Sequence, residues 1–346
     1  MTALERTGER VPMRIGLIGT GRIGTFHART LTAAPGVTEV LLTDADAARA
    51  AEVAAELGAT SVPSPTELLL THGVDAVVIA SATASHAGLI REAAEHGLPV
   101  FCEKPIALDL PGTMEALRTV EEAGSLLQIG FMRRFDAGYA AAREAVRSGS
   151  LGRLHTVRAM TSDPAPPPAA YLPLSGGLYR DCLVHDFDVL RWVTGREVVS
   201  VYAAGSDAGP SMFRDADDVD TAAAVLTLDD GTLCTATATR VNGAGYDVRM
   251  ELAGEKDQVA VGLDARTPLT SLEPAAGSSR GTPWPGFLER FAPAYEAELT
   301  AFVKAVRGEA PNPCDGYEAL AALRVAEACE RSRREGRPVA MSEFAS

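Results

Sequence analysis

The stretch Arg14-Ile-Gly-Leu-Ile-Gly-Thr-Gly-Arg-Ile-Gly24 decides the fold of this chain. Its first half predicts a short β-strand over 15–18, and apolar residues then recur at helical spacing from Ile23 to Leu31. Three glycines therefore lie between a strand and a helix. There Gly19 permits a tight turn, Gly21 lets a phosphate approach the backbone, and Gly24 lets the helix pack closely on the strand. Backbone N–H groups at the start of such a helix bind a pyrophosphate.

An acidic residue, Asp44, closes the second predicted strand, 20 residues after Gly24. A carboxylate there accepts hydrogen bonds from the adenosine ribose and repels a 2′-phosphate, which favours NAD over NADP. Arg49 is expected to lie too far along the next helix to bind such a phosphate. With Arg22 and Ile23 of the loop, Asp44 predicts a nicotinamide dinucleotide site. The alternatives are a structural glycine turn, or a loop for FAD or S-adenosylmethionine.

Strand and helix patterns alternate with short connections from Arg14 to about Gly130. Further strands are predicted over 40–43, 74–79, 99–101 and 126–129, with helices over 47–57, 84–96 and 112–123. This alternation predicts an α/β Rossmann domain over 13–130, with a doubly wound parallel sheet that binds ligands at the carboxyl ends of its strands.

The rhythm changes after Gly130, where strands follow one another with few crossovers. Strands are predicted over 154–161, 198–204, 221–228, 232–239, 248–253 and 258–261, and Asp230-Gly231 is a hairpin signal. Helices are predicted over 137–148, 181–194, 295–306 and 317–331, with a long loop over 264–288. The second domain, 131–346, is therefore expected to be α+β with a large, mostly antiparallel open sheet.

Composition limits the partners. The formal net charge of −14 makes nucleic acid and anionic membrane surfaces poor partners. No apolar run reaches the roughly 18 residues of a membrane span, and residues 1–12 are polar, so a secretory signal is not expected. The five cysteines are scattered without a CxxC pair, which favours reduced thiols. These observations predict a soluble, cytoplasmic protein.

Lysine is scarce, which draws attention to Lys104. It occurs only at positions 104, 256 and 304. Glu103-Lys104-Pro105 follows a predicted strand on the ligand side of the sheet, and the proline restricts the backbone beside the ammonium group. A lysine there can hydrogen-bond a substrate hydroxyl, whereas a solvated loop lysine is the structural alternative.

A second candidate site lies on the helix predicted over 181–194. Asp181, His185, Asp188 and Trp192 share one face, and apolar residues occupy most of the rest, so the helix is expected to be buried. His185 is a candidate base and Asp181 a residue that orients it. The alternative is a satisfied core His–Asp pair. No third or fourth ligand accompanies these two residues, so no metal site is predicted.

These motifs, in this order, resemble the Gfo/Idh/MocA oxidoreductases over nearly the whole chain. Within that family, the segments 102–105, 130–136 and 176–188 are most similar to those of inositol dehydrogenases. The resemblance implies NAD-dependent oxidation of a secondary hydroxyl of a cyclic polyol, with myo-inositol oxidised to its 2-keto product as a step of inositol catabolism. It also implies a homotetramer whose contacts use the open sheet, and a polyol bound between the domains.

The resemblance further assigns residues. It implies Lys104, Asp181 and His185 as the catalytic residues, and Met132 and Arg133 as positions near the substrate or nicotinamide. It also implies cofactor contacts for Ser81, Thr83 and His86 in the loop after the third strand, and for Glu103 in the Glu103-Lys104-Pro105 motif. Asp163, in the proline-rich stretch, is implied as a residue that borders the substrate pocket.

Three alternatives stay open at this point. The same fold serves dehydrogenases of other cyclitols or of pyranose sugars, including scyllo-inositol and glucose-type substrates. It also serves glycosidases that retain and recycle NAD. A protein that senses the dinucleotide without turnover is the third alternative, and the complete set of lysine, aspartate and histidine argues against it.

Overall fold

A computed structural model describes residues 12–273 and 281–344. By internal contacts, the chain divides into two compact units. The first comprises the described residues up to Ala107 together with Pro111–Gly130 and Glu296–Gly316. The second comprises Leu108–Leu110, Phe131–Tyr295 and the described residues from Tyr317 onward.

The first unit contains a parallel sheet of six strands in the order β3-β2-β1-β4-β5-β6, which confirms the predicted Rossmann sheet. Its strands are β1 (Met13–Ile18), β2 (Val37–Thr43), β3 (Thr60–Ser61), β4 (Ala76–Ile79), β5 (Val100–Glu103) and β6 (Leu127–Gly130). Its connecting helices are α1 (Arg22–Thr32), α2 (Ala47–Leu57), α3 (Pro65–Thr71), α4 (Thr83–Glu95) and α5 (Leu110–Ala123). Strands β4, β5 and β6 are buried at every position, so they are continuous apolar runs rather than alternating ones.

The second unit contains a seven-stranded sheet in the order β12-β11-β7-β10-β9-β8-β13. All its neighbours pair antiparallel except β7 and β10, which confirms the predicted open sheet. Its strands are β7 (Leu154–Ser162), β8 (Val198–Ser206), β9 (Thr221–Leu228), β10 (Leu233–Thr239), β11 (Asp247–Gly254), β12 (Gln258–Val261) and β13 (Val339–Ala340). The predicted turn at Asp230-Gly231 joins β9 to β10, and Gly231 has a positive φ of 85°.

The remaining helices are α6 (Ala137–Arg147), α7 (Leu172–Ser175), α8 (Val184–Thr194), α9 (Ser211–Asp215), α10 (Phe287–Val306) and α11 (Gly316–Glu335). A π-helical segment, Tyr179–Leu183, precedes α8, so the single helix predicted over 181–194 begins with wider i→i+5 turns. The predicted loop over 264–288 is irregular in its described part as far as Gly286, after which α10 begins. Residues 274–280 lie outside the described residues.

One predicted boundary differs from the structure. The sequence placed residues 131–346 in one domain, whereas residues 296–316 belong to the first unit. The reason is burial, because Leu299, Phe302 and Val303 of α10 join Ile15 and Leu17 of β1 in one apolar cluster. The sequence of an apolar helix face shows that the face is buried, but it does not show which sheet buries it.

Candidate active site

The glycine loop has the geometry that its three glycines predict. Gly19 has a φ of +102°, a conformation that residues with a Cβ rarely adopt. A Cβ on Gly24 would lie 1.8 Å from the carbonyl oxygen of Gly19, so only glycine lets α1 pack there. A Cβ on Gly21 would meet no atom within 4 Å. The space over Gly21 at the start of α1 therefore fits the pyrophosphate of a dinucleotide.

Asp44 lies beside this loop and is fixed there. Its carboxylate accepts hydrogen bonds from the backbone N–H of Thr20 at 2.6 Å and that of Asp46 at 2.9 Å. Partial burial acts to raise the pKa of Asp44. These hydrogen bonds and the Arg49 guanidinium outweigh that effect, so the pKa lies below its usual value. The carboxylate therefore stays charged at neutral pH, as an acceptor for ribose hydroxyls requires.

Arg49 lies closer to this site than its position in the sequence suggested. Its Nη2 atom lies 2.6 Å from Oδ1 of Asp44, because α2 begins at Ala47 and Arg49 therefore stands in its first turn. The guanidinium therefore neutralises part of the charge on Asp44. Exclusion of a 2′-phosphate by Asp44 is thus weaker than the isolated carboxylate suggests.

The loop after β4 is tied to the loop after β5 through His86. One ring nitrogen of His86 lies 2.8 Å from the carbonyl oxygen of Pro105, and the other lies 3.0 Å from that of Ser81. The Ser81 hydroxyl meets that of Ser85 at 2.7 Å, and Thr83 is the first residue of α4. These contacts indicate that His86 fixes the backbone of the two loops relative to each other. Direct cofactor contacts of Ser81, Thr83 and His86 stay predictions.

Lys104 directly follows β5, at the carboxyl end of the sheet as predicted. Its side chain is half-buried, and the peptide bond between Lys104 and Pro105 is cis. Glu103, by contrast, turns into the first unit, where it is 7% exposed. The two neighbours therefore have different surroundings, and the cofactor contact predicted for Glu103 stays a prediction that this burial disfavours.

Glu103 belongs to a buried cluster with His27 and Glu298. Its Oε1 atom lies 2.7 Å from Nε2 of His27, and one ligand-type atom of each of the three residues lies within 4.8 Å of the others. Glu298 is fully buried, and among the described residues neither of its carboxylate oxygens has a hydrogen-bond partner. Burial, and secondarily the charge of Glu103, raise the pKa of Glu298 well above its usual range. Both effects favour the uncharged form of Glu298 in the folded chain.

In the second unit, Asp181 lies within the π-helical segment and His185 in the first turn of α8. The His185 ring packs edge-on against Phe131, with 5.7 Å between ring centroids. Asp188, which was predicted to share the face of Asp181 and His185, forms a buried bidentate ion pair with Arg134. The Arg143 guanidinium stacks over Trp192, with 4.4 Å between its Cζ atom and the ring centroid. The candidate chemistry of this helix therefore narrows to Asp181 and His185.

Met132 and Arg133 follow β6 in a short 3-10 helix and are both buried. The Arg133 guanidinium donates to Oδ1 of Asp186 at 2.7 Å and to the hydroxyl of Thr161 at 2.8 Å. A buried arginine needs such partners, and these donors are already committed within the unit. Substrate contacts of Met132 and Arg133 stay predictions, and for Arg133 these bonds disfavour one.

Sequence reasoning missed Arg240, which joins two predicted site residues. Its Nη1 atom donates to Oδ2 of Asp163 at 3.1 Å, and its Nη2 atom donates to Oδ2 of Asp181. Although burial acts to lower it, the neighbouring Cys182 and Asp181 raise the pKa of Arg240 above its usual value. A signal was present, because Cys234, Ala236 and Ala238 alternate on the buried face of β10 and position 240 continues that alternation.

These features define a class of protein in which a Rossmann unit with a dinucleotide loop is joined to an α+β unit. The second unit carries His185 and the ion pair between Asp181 and Arg240. Two family models agree. The model described as "Oxidoreductase family, NAD-binding Rossmann fold" matches residues 13–131, and the GFO/IDH/MocA C-terminal domain matches residues 139–260. The chain belongs to the Gfo/Idh/MocA family of oxidoreductases.

Individual relatives are similar over nearly their whole length. A myo-inositol dehydrogenase of Streptomyces leeuwenhoekii is 39% identical over 94% of this chain and 98% of its own. The NAD⁺-dependent scyllo-inositol 2-dehydrogenase of Bacillus subtilis is 36% identical, over 94% of this chain and 96% of its own. The crystal structure of a scyllo-inositol dehydrogenase from Lactobacillus casei, with NAD(H) and scyllo-inositol bound, has a TM-score of 0.86 at 30% identity, covering 96% and 99% of the two chains.

Among the described residues, no helix is both long and apolar enough to cross a membrane.

Proposed function

We propose that this protein is an NAD-dependent dehydrogenase that oxidises a secondary hydroxyl of a cyclic polyol, with myo-inositol converted to 2-keto-myo-inositol. The observation that carries the proposal is similarity over nearly the full length to relatives named as inositol dehydrogenases, one of them bound to NAD(H) and an inositol. The open space over Gly21 and the charged Asp44 support the cofactor. NAD, when bound, supplies the hydride acceptor.

The roles of the residues follow from the reaction. Oxidation of an alcohol removes a hydride from carbon and a proton from oxygen, and it leaves a carbonyl. We assign the proton to His185, because imidazole is the side chain most often used as a general base. Lys104 donates a hydrogen bond to the same oxygen and stabilises the charge that develops there. Asp181 holds His185 and favours its charged form.

Formation of NADH tests the reaction. Purified protein is mixed with NAD or NADP and with myo-inositol, scyllo-inositol, other inositol isomers or simple pyranoses, and absorbance at the NADH band is followed. We expect net NADH with a cyclitol and a preference for NAD. Glycoside cleavage without net NADH would replace the proposal with an NAD-recycling glycosidase. NAD binding without any turnover would replace it with a sensing function.

Replacement of His185 tests the assigned base. His185→Ala should lower kcat by at least about 10²-fold, since general-base catalysis contributes that much, and leave the Kd for NAD nearly unchanged. His155→Ala is the matched control, because His155 is exposed on β7, and it should keep full activity. Unchanged turnover in His185→Ala would refute the assignment.

We further propose a cytoplasmic homotetramer that associates through the open face of the second sheet. Buried and exposed residues alternate along β9, along β10 and in the middle of β8. The exposed face includes Tyr202, Val225 and Leu233, each about half exposed. An exposed apolar patch of this kind supports self-association. The five cysteines, all free and buried, support a reducing compartment.

A further inference from the structure

Arg240 lies where the two predicted acidic residues of the site meet. It ends the run of inward-facing positions on β10, next to the strand's last residue, Thr239. Its side chain is 6% exposed, and the carboxylates of Asp163 and Asp181 are 22% and 11% exposed. One guanidinium thus bridges a carboxylate from the end of β7 and another from the π-helical segment.

The backbone around this bridge is also fixed. The N–H of Asp163 donates to the carbonyl of Thr239 at 2.9 Å, and the N–H of Asn242 donates to the carbonyl of Asp163 at 2.8 Å. The N–H of Arg240 donates to the carbonyl of Asp220 at 2.8 Å. Asp163 and Arg240 therefore have little freedom to separate, and a planar guanidinium with two committed nitrogens sets the orientation of both carboxylates.

Asp181 receives a second donor on its other oxygen. The hydroxyl of Tyr171 donates to Oδ1 at 3.1 Å, whereas Arg240 occupies Oδ2. The carboxylate is thus held at both oxygens from outside its own helical segment. Two partly buried carboxylates facing one cation carry a net charge of −1, which suits an uncharged ligand rich in hydroxyl donors better than an anionic one.

We propose that Arg240 is a positioning residue that fixes Asp181 and Asp163 as paired acceptors for neighbouring hydroxyls of the polyol. The inference rests on the proposed function and extends it, because it assigns substrate orientation to a residue outside the lysine, aspartate and histidine set. Loss of the bridge lets both carboxylates turn, so the hydroxyl that reacts is no longer aligned with His185. Small errors of alignment are costly in hydride transfer.

Chemical rescue tests the proposal. Arg240→Ala should lower kcat/KM for myo-inositol by about 10²-fold or more and leave the Kd for NAD within about twofold. Guanidinium chloride at low, non-denaturing concentration should raise kcat/KM of Arg240→Ala at least about tenfold, because the free cation can occupy the vacated site. Sodium chloride at the same ionic strength should restore nothing, and His185→Ala should not respond to guanidinium. Rescue separates positioning from a general loss of folding.

A second variant covers the case in which Arg240→Ala does not fold. Arg240→Lys keeps the charge but cannot bind both carboxylates in parallel, so it should raise KM more than it lowers kcat. Tyr171→Phe, at an exposed position, should cause a smaller change in the same direction. Full activity of Arg240→Lys, or a folded Arg240→Ala with no rescue, would overturn the proposal while wild-type NADH formation stands. If the wild type forms no NADH from any polyol, the proposed function fails and the inference fails with it.

Discussion

At the scale of single residues, the most unusual environment belongs to Glu298. It is fully buried next to Glu103, and both features raise its pKa and favour the protonated carboxyl group in the folded chain. In the unfolded chain the same carboxyl group releases its proton near its ordinary pKa. Between these two pKa values the folded state binds more protons than the unfolded state, so this residue makes stability fall as pH rises.

Glu298→Gln removes that dependence. The amide has nearly the shape of the neutral acid and does not titrate, so the free energy of unfolding of the variant should exceed that of the wild type increasingly from pH 5 to pH 8. We expect a difference of about 1 kcal/mol or more at pH 8. Urea denaturation at several pH values without NAD measures it. A difference that is constant over this range would contradict a neutral Glu298.

Residue-scale prediction from sequence succeeded where one backbone rule governs the residue. Gly19 and Gly24 have the turn and the close packing that the motif predicts, and Asp44 lies beside the loop. Their contacts with NAD stay predictions. Prediction from sequence missed the contacts of Arg240 and Arg49, whose side chains reach carboxylates that the chain order does not place beside them. The alternation along β10 could have identified Arg240 as inward-facing, but its partners depend on how three segments meet.

At the scale of elements, the strand–loop–helix unit from β1 to α1 offers a matched pair of substitutions. Gly24→Ala would drive a Cβ into the Gly19 carbonyl and should cost at least about 2 kcal/mol of folding stability. Gly21→Ala meets open space at a φ of −67°, so Tm should hardly change while the Kd for NAD rises at least about tenfold. Thermal unfolding and NAD titration separate the two effects. An unchanged Kd for NAD in Gly21→Ala would contradict a phosphate site over Gly21.

Elements were predictable where pattern and length agree. The buried strands of the first sheet and the alternating strands β9 and β10 lie within a few residues of their predicted positions. Helix α3 was missed because seven residues are too few to show helical periodicity, although Ser64 caps it and Pro65 occupies its first turn. Helix α10 begins at Phe287, eight residues before the prediction, because Pro293 reads as a helix stop in sequence but lies inside this helix.

At the scale of the whole molecule, the open sheet carries the prediction of self-association. Tyr202 and Val225 are register partners on β8 and β9, at the middle of the exposed apolar patch. Val225→Glu should convert the proposed tetramer to a smaller species, because a buried unpaired carboxylate is costly at an interface. Light scattering after gel filtration measures the mass. Leu70→Glu, at an equally exposed apolar position on α3, is the control and should leave the mass unchanged.

The contribution of α10 to the first unit also has a consequence for synthesis. Ribosomes release the chain from its amino end, so β1 to β6 emerge while Leu299, Phe302 and Val303 have not yet been translated. Until then the nascent Rossmann sheet lacks part of its apolar cover, which is the condition under which partly folded chains aggregate. The first unit therefore completes its apolar core only after most of the second has been made, and a fragment ending at Gly130 would leave part of that core exposed.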